Sequence, residues 1–153
     1  MADKNILNKK RFQKLTLLKS SATDVQLKPE DAMLEVFENV YKDRDYEIIF
    51  DCPEFTSLCP VTGQPDFGEI TIKYIADRYC IESKSLKLHL FSYRNHNTFH
   101  EEAVNSILDA VVDACAPRWA EVTGKFRPRG GIAINVVAST HSKLTERTKT
   151  GRK

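Results

Sequence analysis

Proline and glycine are scarce, six of each in 153 residues, and cysteine is scarcer still at four. The first two counts exclude a collagen-like or low-complexity chain. Four cysteines are few for a disulfide scaffold, and the N-terminus lacks the apolar stretch of a secretory signal. Cys52, Cys59, Cys80 and Cys115 are therefore expected as reduced thiols in a cytoplasmic protein. No apolar run reaches the ~20 residues of a membrane-spanning helix. CxxC and HExxH spacings are missing, so a zinc site would have to gather Cys52, Cys59, Cys80 and His100 from separate segments, and no metal is expected. A glycine-rich turn between strand and helix is missing too, which argues against a Rossmann unit.

Charge is unevenly spread. Residues 1–29 hold seven basic and two acidic side chains, and residues 141–153 hold five and one. The middle, 30–140, is left with 11 basic against 18 acidic, a net charge of −7. A nucleic-acid-binding domain concentrates positive charge on its folded part, so no direct nucleic-acid partner is expected. The division predicted is a mobile basic arm at 1–29, one catalytic domain at 30–140 and a flexible basic tail at 141–153.

Within the middle, "DYEIIFDC" (45–52) and "EITIKYIA" (69–76) carry the residue types and alternation of strands. The Pro- and Gly-containing stretch between them, "FTSLCPVTGQPDFGE" (55–69), is too long for a tight hairpin and reads as a structured loop. Residues 83–95 fit a helix or a strand. Residues 98–116 read as a helix with Ala103, Val104, Ile107, Leu108, Val111, Ala114 and Cys115 on one face, a Thr98/Glu101 capping box, and Pro117 as its end. A strand pair at 118–126 and 131–138 follows, joined by "RPRGG", a turn expected to expose its arginines and free backbone N–H groups. The fold class is α+β: an antiparallel four-stranded sheet with two helices on one face, whose open edges call for oligomerisation.

Cys59 reads either as a buried structural thiol or as a nucleophile whose thiolate is stabilised by nearby positive charge. Asp66 is either a turn aspartate or a general acid in a poorly solvated site. "NHNTFHEE" brings His96, His100, Glu101 and Glu102 to the start of the long helix. A glutamate there can bind the donor edge of a guanine-like base through two parallel hydrogen bonds. Lys84, Lys87, Arg127 and Arg129 could grip phosphates or form a solvated face.

Three segments in order, "CPEFTSLCPVTGQPDFGEI", "ESKSLKLHLFSYRNHNTFHE" and "KFRPRGGIAI", together resemble the NADPH-dependent nitrile reductases of queuosine biosynthesis. The resemblance runs from about residue 33 to 138 and fits the short, single-unit branch. It implies reduction of 7-cyano-7-deazaguanine to 7-aminomethyl-7-deazaguanine with two NADPH as co-substrate. It also implies the tunnelling fold shared with type I GTP cyclohydrolase. Subunits of that fold join sheet edges into rings, typically two stacked pentamers, with active sites between subunits. Carried over, Cys59 attacks the nitrile carbon to form a thioimide and Asp66 donates a proton to the nitrogen. Glu101, His100, Ile81, Glu82 and Ser83 contact the deazapurine, and Lys84, Lys87, Arg127 and Arg129 hold the NADPH phosphates. The signature at 82–87 normally ends in an aromatic residue, and His89 stands there instead.

Two other readings stay open on the residues alone. One is a zinc-dependent, cyclohydrolase-like enzyme acting on a purine or pterin. The other is a non-catalytic purine-binding module.

Overall fold

A computed structural model describes residues 28–141. Most of the basic arm and all but one residue of the basic tail lie outside the described residues. The element order is β1 (Val36–Glu38), β2 (Glu47–Leu58), β3 (Pro65–Ile75), β4 (Tyr79–Ile81), α1 (Ser83–Ser92), a 3₁₀ turn (Tyr93–Asn95), α2 (His100–Cys115), β5 (Trp119–Phe126) and β6 (Asn135–Ser139). The main sheet is four-stranded and antiparallel in the order β2-β3-β5-β6, and β1 pairs with β4 in a separate two-stranded sheet. The mixed α+β architecture and the four-stranded sheet agree with the sequence expectation. The β1/β4 ribbon is additional.

The core explains the order. Ile70, Ile72 and Tyr74 of β3 and Ala120 and Val122 of β5 share one buried face. Leu86 of α1 and Ala103, Val104, Ile107 and Val111 of α2 close over it as one cluster. These α2 positions recur at three- and four-residue spacing, so a single helical stripe meets the sheet. Its approach is closest at Gly124, where an added Cβ would stand 2.6 Å from a Val104 methyl.

The loop predicted at 55–69 is mostly strand. β2 and β3 pair as far as Leu58↔Pro65, leaving only Cys59–Gln64 as the connection. Three residues obscure this in the sequence. Pro53 lies in an irregularity where the register passes from Cys52↔Ile70 to Phe55↔Gly68, so β2 carries one extra residue. Pro65 begins β3, a position that needs no ladder donor. Gly68 sits where a Cβ would meet the Lys125 carbonyl at 2.8 Å, so the close strand contact requires glycine. The bulge also changes phase: Ile48, Phe50 and Cys52 lie toward the core on even numbers, and Phe55 and Ser57 on odd ones.

Residues 83–92 resolve as a helix because Glu82 caps them. Its carboxylate accepts from Lys84 N and Ser85 N, both at 2.7 Å, satisfying two of the free donors at the helix start. The expected Thr98/Glu101 box at α2 is corrected. The helix begins one residue later, with Phe99 at the cap, and Glu102 Oε2 accepts from Phe99 N at 3.2 Å. Ala116 in the left-handed region (φ 41°) terminates α2 ahead of Pro117.

Candidate active site

Strand parity decides what enters the site. Asp66 is in phase with Gly68, Ile70, Ile72 and Tyr74, so its carboxyl points to the helix-covered face and is 4% exposed. Its cross-strand partner is Ser57, fully buried, its hydroxyl without a partner among the described residues. Two residues beyond Ser57 the chain turns. Cys59 N donates to Gln64 O and Gly63 N donates back to Cys59 O, both at 2.8 Å, while Gly63 takes φ 67°. The short turn thus holds Cys59 at the mouth of the hairpin, above Asp66.

Asp66 is shared by two other segments. Arg129 Nη1 donates to Oδ1 at 2.8 Å, and His100 Nε2, from the first residue of α2, lies 3.4 Å from Oδ2. The His100 contact lacks the alignment of a hydrogen bond. His100 is held flat by stacking on Phe126, with ring centroids 3.9 Å apart and planes at 11°. Arg129 also binds Gln64 Oε1 at 2.6 Å and reaches Thr62 Oγ1 at 3.4 Å. One guanidinium therefore ties the Cys59 turn to Asp66.

The turn makes Cys59 acidic. The Thr62 hydroxyl, the Thr62 and Val61 backbone N–H groups and Arg129 all donate toward its sulfur, and its pKa falls to about 7. Thr62 is the largest contributor and was missed in the sequence. Its hydroxyl oxygen accepts from Gln64 N at 3.3 Å and from Arg129, which leaves its O–H to donate to sulfur. Cys52 is the opposite case: burial, helped by the Asp51 charge, pushes its thiol up. All four cysteines are free thiols.

Glu101 is left unengaged at the helix start. With Glu102 serving the cap, Glu101 is exposed beside His100, and only its backbone carbonyl is used, by Asn105 Nδ2 at 2.8 Å. Cys59, Asp66, His100 and Arg129 thus form one cluster, with Glu101 adjacent. Ile81, Glu82 and Ser83 are held elsewhere in the chain. Ile81 N donates to Tyr74 Oη at 2.9 Å, and the Glu82 carboxylate is the α1 cap already described. Lys84 follows them on α1.

Lys87 and Arg127 face a different space. They line a cavity of about 860 Å³ with Arg94 and Lys125, two acidic residues (Glu54, Glu69) and the rings of Phe55, Phe67, Phe91 and Phe126. Phe126 is common to both regions, since the ring that lines this cavity also stacks on His100. Arg129, expected with Arg127, instead sits on Asp66. The "RPRGG" turn is tighter than expected. Arg129 N donates to Ile132 O and Arg127 N to Phe67 O, so these N–H groups are not free, although both arginines are exposed. Gly130 and Gly131, at φ 58° and 81°, supply the two left-handed positions that such a turn needs.

Comparison with known proteins adds to this geometry. A family profile described as "QueF-like protein" matches residues 65–145. A curated NADPH-dependent 7-cyano-7-deazaguanine reductase from Streptococcus mutans is 53% identical over 129 residues, covering 84% of this chain and 80% of its own. The chain belongs to the QueF-like family. Reductases of the same name from Streptococcus thermophilus and Oceanobacillus iheyensis are 56% and 52% identical over 124 residues, each covering 81% of this chain and 76% and 75% of their own. The crystal structure of an archaeosine synthase, QueF-like, in the apo form superimposes with a TM-score of 0.55 at 26% identity, covering 61% of this chain and 90% of that one. The cyclohydrolase-like alternative gains no support. Among the described residues, no group of three or more His, Cys, Asp or Glu gathers to hold a metal ion.

Proposed function

We propose that this chain is an NADPH-dependent 7-cyano-7-deazaguanine reductase, forming 7-aminomethyl-7-deazaguanine on the path to queuosine. The observation that carries the reading is an acidic thiol, Cys59, held by one arginine against a buried aspartate that also meets His100. Relatives at 52–56% identity bear that activity in their names.

The Cys59 thiolate adds to the nitrile carbon, forming a C–S bond as one C–N π pair moves onto nitrogen. Asp66 delivers the proton that nitrogen takes up, and His100 beside it resupplies the pair. The product is a thioimide on Cys59. Thiolate suits both halves of the work, because it is strongly nucleophilic and leaves readily once the carbon has been reduced. Converting a nitrile to an amine takes four electrons, and two successive NADPH molecules supply them as hydrides. A second proton to nitrogen, again through Asp66, completes the amine. Glu101 binds the N–H edge of the deazaguanine through two parallel hydrogen bonds, and Ser57 offers a hydroxyl to the buried end of the site.

NADPH fits the 860 Å³ cavity. Lys87, Arg94, Lys125 and Arg127 match its phosphates and the phenylalanine rings match its planar groups. Phe126 separates that cavity from the cysteine site by one ring. Lys84 reaches the same cofactor from the start of α1. Ile81, Glu82 and Ser83 meet substrate across a subunit boundary, which is how residues remote within one chain serve a shared site. The chain then works as a homo-oligomer of the tunnelling fold, a barrel of two stacked pentamers.

Purified full chain with the nitrile and NADPH is expected to consume two NADPH per substrate, read by absorbance. Without NADPH, the substrate should add its mass to Cys59. Cys59→Ala should abolish both, and full reductase activity in that variant would overturn the proposal.

A further inference from the structure

A second pocket lies on the far side of the helices from the cavity described above. It measures about 480 Å³ and is bounded by residues 29–34, the end of α1 and the outward side of α2. Its deepest polar groups are His89 and Tyr93, which are 3% and 1% exposed. Among the described residues His89 Nε2 has no hydrogen-bond partner, whereas the Ser106 hydroxyl stands by to donate to Tyr93 Oη. A buried polar atom left unpaired is uncommon and costly, so His89 Nε2 at the base of a pocket points to something that satisfies it.

The chemistry of that occupant follows from its walls. His89 Nδ1 lies 2.7 Å from the Ala32 carbonyl, which only accepts, so the ring proton is on Nδ1. Burial pushes the His89 pKa down, which keeps the ring neutral and Nε2 a bare acceptor. Tyr93 stays a phenol, its pKa raised to about 12 by burial, with a hydrogen bond from Ser106 partly offsetting this and the Glu30 charge adding to it. Glu30, Asp109 and Asp113 supply three carboxylates to the lining, to which no lysine or arginine among the described residues contributes. Ala32, Met33, Leu34, Ala110 and Ala114 give it an apolar wall. A bare acceptor at the base, negative charge around it and an apolar side suit a cation with N–H donors on a short hydrocarbon stem.

We infer that the pocket between α1, α2 and residues 29–34 binds a small organic cation through a primary ammonium group. His89 Nε2 accepts one of its hydrogens, and Asp109, Asp113 and Glu30 accept the others and balance its charge. The site is separate from the cysteine cluster, and the inference stands whether or not the reductase reading does.

The test is calorimetric titration of the full chain with butylammonium chloride, in the absence of nitrile and NADPH and at constant ionic strength. Saturable binding is expected. It should weaken by about tenfold or more in His89→Phe, which removes one acceptor, and in the double variant Asp109→Asn/Asp113→Asn. The second variant changes exposed side chains only, so it decides the matter should the first fail to fold. Tetramethylammonium, which has charge but no N–H, should bind at least about tenfold more weakly than butylammonium. Absence of saturable butylammonium binding, an unchanged affinity in the Asp109/Asp113 variant, or equal binding of both cations would overturn the inference.

Discussion

Thr62 is the residue that converts an ordinary surface cysteine into a reactive one. A thiol of pKa about 7 is roughly half thiolate at neutral pH, against about one part in a hundred for its unperturbed value of 9.0. The pH dependence of Cys59 alkylation by iodoacetamide should therefore show a midpoint near 7. Because the pKa is lowered, reactivity persists above that midpoint and is lost as pH falls through it. Thr62→Val keeps the side-chain shape and removes the donor. The midpoint should then move upward, though not fully, since the Val61 and Thr62 backbone N–H groups and Arg129 remain. A variant whose midpoint stays near 7 would remove Thr62 from this role. Read locally, Cys59 and Asp66 each left a structural and a catalytic reading open, and only the resemblance of three separated segments singled them out as candidates. Thr62 also lay within the quoted turn, but its role depends on the Arg129 and Gln64 donors that occupy its oxygen, and Arg129 lies 67 residues away.

At the level of elements, the start of α2 separates two adjacent glutamates into different jobs. In the sequence Glu101 was ambiguous between helix cap and base anchor, because a capping box counted from Thr98 falls on it. A one-residue shift of the helix start to His100 moves the cap to Glu102 and leaves Glu101 exposed with its carboxylate unused by the cap. The two substitutions should therefore differ in kind. Glu102→Ala should lower stability by about 0.5–1 kcal/mol with little change in substrate KM. Glu101→Ala should leave the melting temperature nearly unchanged and raise the KM for the nitrile about tenfold or more. Thermal denaturation and steady-state kinetics on both variants check this, and the reverse pattern would return Glu101 to the cap. The same one-residue sensitivity explains the misread loop. β3 was recognised only from Glu69 because Pro65 and Gly68 look like turn residues. Yet the even-numbered alternation that buries Ile70, Ile72 and Tyr74 continues back through Gly68 to Asp66. Extending that parity four residues upstream would have placed the Asp66 carboxyl inside, whereas the β2 bulge that brings Ser57 opposite it has no comparable signature.

For the whole molecule, the unsolved problem of the single chain is its edges. Among the described residues β2 and β6 are the edges of the order β2-β3-β5-β6, and the outer side of β2, a strand of 12 residues, pairs only at its end, where Leu58 N donates to His96 O and Thr98 N to Leu58 O. The sheet face away from the helices carries Ile49, Phe67 and Val137, each about half exposed. A long open edge beside apolar side chains is an association surface. Joining β2 of one subunit to β6 of the next would satisfy both edges and, repeated around a ring, would turn the uncovered face inward. The same closure would bring Ile81, Glu82 and Ser83 to a neighbour's Cys59, giving a use to residues that one chain leaves apart. Assembly and activity should therefore rise and fall together. Sedimentation of the full chain should give a particle many times the 17.5 kDa of the monomer, with a decamer as the expected size. On dilution, specific reductase activity should drop over the concentration range in which the particle dissociates. A monomer that keeps full activity would show that one chain holds a complete site, and would require Ile81, Glu82 and Ser83 to be dropped from it.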